Sequence, residues 1–123
     1  MYCLDTNIVI DLLKGDRELS LKLDSIEGRL FISPITIFEL FKGIINEDEV
    51  RVIEDMLSEF SILEFSIDVG KTFGELFRNL KNSGRTIPES DLMIASFIKS
   101  HNLIFVTRDK KHFDNIGVKV EFW

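Results

Sequence analysis

Four acidic residues stand where a folded chain has little use for a solvated charge. Asp5 closes the opening apolar run in "YCLDTN", and Glu39 lies among Phe38, Leu40 and Phe41 in "SPITIFELFKG". Asp91 follows Pro88 in "IPESDLMIAS", and Asp109 comes directly after the apolar run in "LIFVTRD". Each has a plainer reading on its own. Asp5 can form a turn, Asp109 can cap a short helix, Asp91 suits the positive end of a helix dipole, and Glu39 can be half exposed. As a set they point elsewhere. Close carboxylates without matching buried bases repel one another by about 4 kcal/mol per pair at an effective dielectric near 20. A divalent cation relieves that repulsion. Oxygen donors with no Cys or His expected beside them favour Mg2+ or Mn2+ over zinc. Such a site supports phosphodiester hydrolysis, because the cation makes water a usable nucleophile near neutral pH and offsets charge on the phosphoryl oxygens. Attack by water rather than by a ribose hydroxyl leaves a 3′-hydroxyl and a 5′-phosphate.

Alternating short apolar runs and helical patterns must position these acids. Strands are expected at 2–5, 29–33, 61–65, 103–106 and 118–122. The first helix spans 8–14, capped by Thr6 or Asn7 and ended by Gly15, and a second covers about 17–26. Pro34 opens a helix over about 35–45. Val50, Ile53, Leu57 and Phe60 recur at helical spacing and read as a core stripe more than an interface. Further helices are expected at 67–82, from Pro88 to about Ser100, and at 110–114. Strands separated by helices imply right-handed crossovers, hence an α/β fold with a mainly parallel sheet covered on both sides. In such sheets functional groups gather beyond the carboxyl ends of the strands. Asp5, Thr107 and Asp109 lie at such ends. Asp91, in the first turn of its helix, shares a face with Ala95 and Ile98 and should turn toward the sheet.

Bulk properties narrow the function. The 123 residues suit one domain, and 45% hydrophobic content with eleven Phe and two Pro argues for a packed fold. No apolar run is long enough to span a bilayer and no secretory leader pattern opens the chain, so the expected location is the cytoplasm. The one cysteine, Cys3, falls inside the first apolar run and reads as core. A net charge of −6 excludes nucleic-acid binding by bulk electrostatics, so any polyanion must be met by local positive charge. Two clusters are available: Arg108, Lys110, Lys111 and His112 beside Asp109, favoured for a nucleic-acid path, and Arg78, Lys81 and Arg85, read mainly as a solvated face. Asp11 also reads as solvated, and His112 is set aside as a general base.

The strings "LDTN" at 4–7, "TIFELFKG" at 36–43, "IPESDLMIASFIKSHNLIFVTRDKKHF" at 87–113 and the closing "VKVEFW" resemble the PIN domain, and most closely the VapC-type toxins of toxin-antitoxin pairs. The likeness runs from end to end. It implies a PIN-like three-layer α/β/α fold and a divalent-metal-dependent endoribonuclease. It implies that Asp5, Glu39, Asp91 and Asp109 bind Mg2+ or Mn2+, with Asn7 and Thr107 as supporting polar residues near the substrate. RNA as substrate, a small antitoxin protein and a homodimer complete what the resemblance implies.

Two other classes remain open at this point. A receiver-like phospho-acceptor domain is also acidic and α/β, but the strand "SILEF", taken as central, ends without an acceptor Asp, and no Lys closes "LIFVT". A PIN-like module without catalysis is the other, against which the complete acidic set argues.

Overall fold

A computed structural model describes residues 1–123. Its twelve elements are β1 Tyr2–Leu4, α1 Thr6–Leu13, α2 Arg17–Asp24, β2 Leu30–Ile32, α3 Pro34–Lys42, α4 Glu47–Leu57, β3 Ser61–Ile62, α5 Ile67–Asn82, α6 Glu89–Ser100, β4 Ile104–Thr107, α7 Lys110–Phe113 and β5 Lys119–Phe122. The five strands form one sheet in the order β3-β2-β1-β4-β5, and every pairing is parallel. The fold is therefore α/β with a five-stranded parallel sheet between helical layers.

Strand geometry explains the layering. Successive residues of a strand point to opposite faces, so Cys3 and Phe105 enter one core while Leu4 and Val106 enter the other. The first core is closed by α5, α6 and α7 through Val69, Leu76, Leu80, Ile94, Ala95, Ile98 and Phe113. The second is closed by α1 to α4 through Ile8, Val9, Leu19, Leu23, Leu40 and Ile53. Cys3 is completely buried, and burial pushes its thiol above the usual range, so it packs and does not react. Ile53 anchors the α4 stripe in the core, with Leu57 and Phe60 packed against it.

Two expectations are corrected here. The cap of α1 is Asp5, not Thr6 or Asn7: its side chain accepts from Thr6 N at 2.8 Å, and the helix begins at Thr6, ahead of the expected start at residue 8. The central strand is β1, not β3, which is two residues long and forms the sheet edge. The chain therefore places Asp5 at the carboxyl end of the middle strand, a position for which β3 supplies no acid. Gly15 ends α1 with φ +87°, a conformation that suits a residue without Cβ.

Candidate metal centre

Because β1 and β4 are adjacent and parallel, their carboxyl ends open side by side. Asp5 N donates to Val106 O at 2.9 Å, which carries the pairing one residue past β1. The Asp5 side chain is then fixed on both oxygens. Thr6 N donates to Oδ1, and the Thr107 hydroxyl donates to Oδ2 at 2.6 Å. Thr107 is fully buried, and its Oγ1 accepts from Asp109 N at 3.0 Å, so one hydroxyl sets both acids. Thr107, expected as a supporting polar residue, thus has its hydroxyl engaged with both Asp5 and Asp109.

Glu39 joins through Thr6, a residue whose part in the site the sequence reasoning missed. The Thr6 hydroxyl lies 2.8 Å from Glu39 Oε1 and 3.0 Å from the Thr36 hydroxyl, one turn before Glu39 on α3. Ser33 caps that helix, accepting from Thr36 N, and Pro34 stands in its first turn. The signal lies in "DTN", where Thr6 sits between two candidate site residues.

Asp91 and Asp109 form the other half. Asp109 caps α7, its Oδ1 accepting from His112 N at 3.1 Å, so the capping reading of this residue holds together with its place in the site. Its Oδ2 faces the His112 ring, with Nδ1 2.8 Å away, and the same Nδ1 is 2.9 Å from Asp91 Oδ2. The ligand atoms of Asp91, Asp109 and His112 all lie within 4.8 Å of one another. Asp5 and Glu39 stand outside this trio. The expectation of a site with no histidine nearby is corrected: capping by Asp109 turns the residue three positions later back onto it, and the spacing D-K-K-H carried that signal.

Electrostatics ties the halves together. Burial, the largest influence, pushes the Asp5 carboxyl up to about 6, hydrogen bonds from Thr107 and Thr6 pull it down, and the charges of Asp91 and Glu39 push it up again. Burial also raises Asp91; His112 opposes that shift, and Asp109 and Glu39 reinforce it. All four acids thus act on one another directly or through Asp91. Asn7, two residues after Asp5, has a buried Oδ1 without a hydrogen-bond partner. Carboxylates that destabilise each other's charge and an orphaned amide oxygen are donors that suit a hard divalent ion.

The basic residues are disposed differently from expectation. Arg108 forms ion pairs with Asp11 and Asp16, so Asp11 is half-buried and paired rather than solvated, and Arg108 is partly neutralised. Lys110 and Lys111 are exposed and make no ion pair, which leaves them as the free cations beside the acids. Arg85 donates to the carbonyls of Lys111 (3.2 Å) and Asp114, tying down the end of α7 instead of facing solvent.

A parallel sheet with acids converging past the ends of β1 and β4 defines a class of metal-dependent nuclease. The PIN domain family model matches residues 2–119, and the chain belongs to that family. PIN nucleases are divalent-metal dependent. Over 99% of its length the chain is 34% identical to "Ribonuclease VapC2" of Haemophilus influenzae, covering 97% of that protein. It is 29% identical to "tRNA(fMet)-specific endonuclease VapC" of Shigella flexneri, again over 99% of this chain and 97% of the other. Its structure superimposes on the crystal structure of VapBC2 from Rickettsia felis bound to a promoter DNA fragment with a TM-score of 0.91 and 28% identity, over 99% of this chain and 98% of that one.

Proposed function

We infer that the protein is a divalent-metal-dependent endoribonuclease and the toxin of a VapBC-type toxin-antitoxin pair. The observation that carries this is the convergence of Asp5, Glu39, Asp91 and Asp109 at one edge of the sheet in a chain related from end to end to VapC ribonucleases. Residues 1–123 act as a single PIN-like domain, and the four acids hold Mg2+ or Mn2+. The ion supplies Lewis acidity, lowering the pKa of water and offsetting charge on the scissile phosphate. Asp5 is held rigid by Thr107 and Thr6, Glu39 is aimed by Thr6, and Asn7, two residues after Asp5, has an unpartnered oxygen available to support the site. Lys110 and Lys111, beside the ion-paired Arg108, draw the RNA backbone toward the acids. No helix is long and apolar enough to cross a membrane, and the cytoplasm, where the RNA lies, is the proposed place of action.

Analysis of the product ends tests the chemistry. Cleaved RNA should carry 5′-phosphates and 3′-hydroxyls. A 2′,3′-cyclic phosphate would mean that a ribose hydroxyl is the nucleophile and that the metal-water mechanism is wrong. In cells, wild-type protein expressed alone should arrest growth and Asp5→Asn should not. Equal arrest by both would assign the toxicity to something other than the nuclease.

Two apolar grooves suit the proposed protein partners. One, of about 370 Å³, is lined by Ile10, Leu13, Leu40, Ile44 and Val52 and reaches Glu39. An antitoxin segment seated there can lay apolar side chains along α1, α3 and α4 and direct a basic one at the acids, displacing the metal. The other, of about 390 Å³, is lined by Ile35, Phe38, Phe65, Phe73 and Met93, with Phe38 72% and Phe65 71% exposed. Contiguous aromatic exposure of this kind marks an interface, and we assign it to a second copy. Size-exclusion chromatography at micromolar concentration should give twice 14.2 kDa for the wild type and a monomer for Phe38→Asp. A monomeric wild type would remove the assignment.

A further inference from the structure

We propose that His112 is a direct ligand of the divalent ion, so that the centre is a mixed nitrogen and oxygen site rather than an all-carboxylate one. The inference rests on the metal site proposed above and adds a residue to it.

Three observations carry it. Nδ1 of His112 lies 2.9 Å from Asp91 Oδ2 and 2.8 Å from Asp109 Oδ2. Donors bound to one small divalent ion at about 2.1 Å and at right angles are about 3.0 Å apart, so these separations match two edges of an octahedral shell. The atom is also shielded from solvent, and in the metal-free protein it answers the Asp91 charge as an ion-pair and hydrogen-bond partner. A nitrogen that faces two carboxylates at ligand-like separations is placed to share an ion with them. Finally, the backbone that carries the ring is held in place. His112 N is bound by the Asp109 cap, and Arg85 grips the carbonyl of Lys111. The next residue, Phe113, is 1% exposed, with its ring 4.7 Å from that of Phe105, centroid to centroid.

The consequence is a shift in metal preference. Imidazole nitrogen favours ions later in the first transition row, whereas carboxylate and water alone suit Mg2+. His112 therefore raises affinity for Mn2+ relative to Mg2+.

Pulsed electron paramagnetic resonance of Mn2+ bound to the whole protein tests this without relying on activity. The wild type should show nitrogen hyperfine coupling from a bound imidazole. His112→Gln should lose the coupling and bind Mn2+ at least about tenfold more weakly, the lower end of the loss seen for outer-sphere metal partners, with a smaller change for Mg2+ measured by competition. The chain's other histidine, His101, contacts the Glu64 carbonyl, and His101→Gln should keep the wild-type spectrum. Mn2+ bound by wild type without nitrogen coupling, or coupling that survives in His112→Gln, would overturn the assignment of His112 while leaving the carboxylate site intact. Failure of the wild type to bind Mn2+ at all would overturn both.

Discussion

Asp5→Asn should cleave RNA at least about a hundredfold more slowly than wild type, the upper end of what even outer-sphere metal partners cost, and in EDTA at pH 8 it should melt at a higher temperature. Loss of activity with gain of stability follows from the environment of this carboxylate. Asp5 is only 6% exposed, and burial raises its pKa from 3.8 to about 6. An acid with a raised folded-state pKa holds a proton that the unfolded chain has released, so metal-free stability falls as pH rises from about 4 to about 6 and stays low above that. At pH 8 the ionised group costs roughly 3 kcal/mol relative to the neutral form. Asn keeps the size and is as good an N-cap as Asp, so it removes most of that cost. The expected gain is about 1–3 kcal/mol, at about 4 °C per kcal/mol. Below about pH 4 the two proteins should melt alike, and their difference should open between pH 4 and 6. Retained turnover, or a variant less stable than wild type at pH 8 in EDTA, would take Asp5 out of the site.

Asp91→Asn separates a ligand from a helix-end charge by a reversal of rank. In EDTA the variant should melt at or slightly above wild type, because burial, Asp109 and Glu39 all disfavour the Asp91 charge. The gain is smaller than at Asp5, since His112 offsets part of that penalty. With Mn2+ at a hundredfold excess over its dissociation constant, wild type should gain about 2.7 kcal/mol through binding to the folded state alone, a shift of about 10 °C, and the variant should miss most of it. A purely structural Asp91 gives the opposite pattern: a less stable variant in EDTA and equal metal-induced shifts. Equal shifts would therefore exclude it as a ligand.

Local sequence reports what local physics decides. The apolar run "LIFV" and the capped, proline-opened helices were legible because strand and helix periodicity act over a few residues, and α5 keeps its expected bounds of 67–82. The four acids drew attention for a related reason: Asp5, Asp91 and Asp109 stand at or near element ends, and Glu39 interrupts an apolar helix. What escaped was decided by contacts between distant segments. Placing β1 in the middle depends on pairings with β2 and β4 that no periodicity encodes. Arg108 looked free because its partners, Asp11 and Asp16, lie more than ninety positions away. His112 looked like one more basic residue of an exposed helix. Only the Asp109 cap and the packing of α6 against α7 bring its ring onto Asp91.

The central claim is that the acids at the carboxyl edge of the sheet cleave RNA only with a divalent ion in place. Its most direct test is RNA cleavage by purified wild-type protein, followed before chelation, in excess EDTA, and after Mg2+ or Mn2+ is restored beyond the chelator. The account predicts cleavage, loss of cleavage, and recovery with either ion. RNA cleavage that continues undiminished in excess EDTA would contradict it.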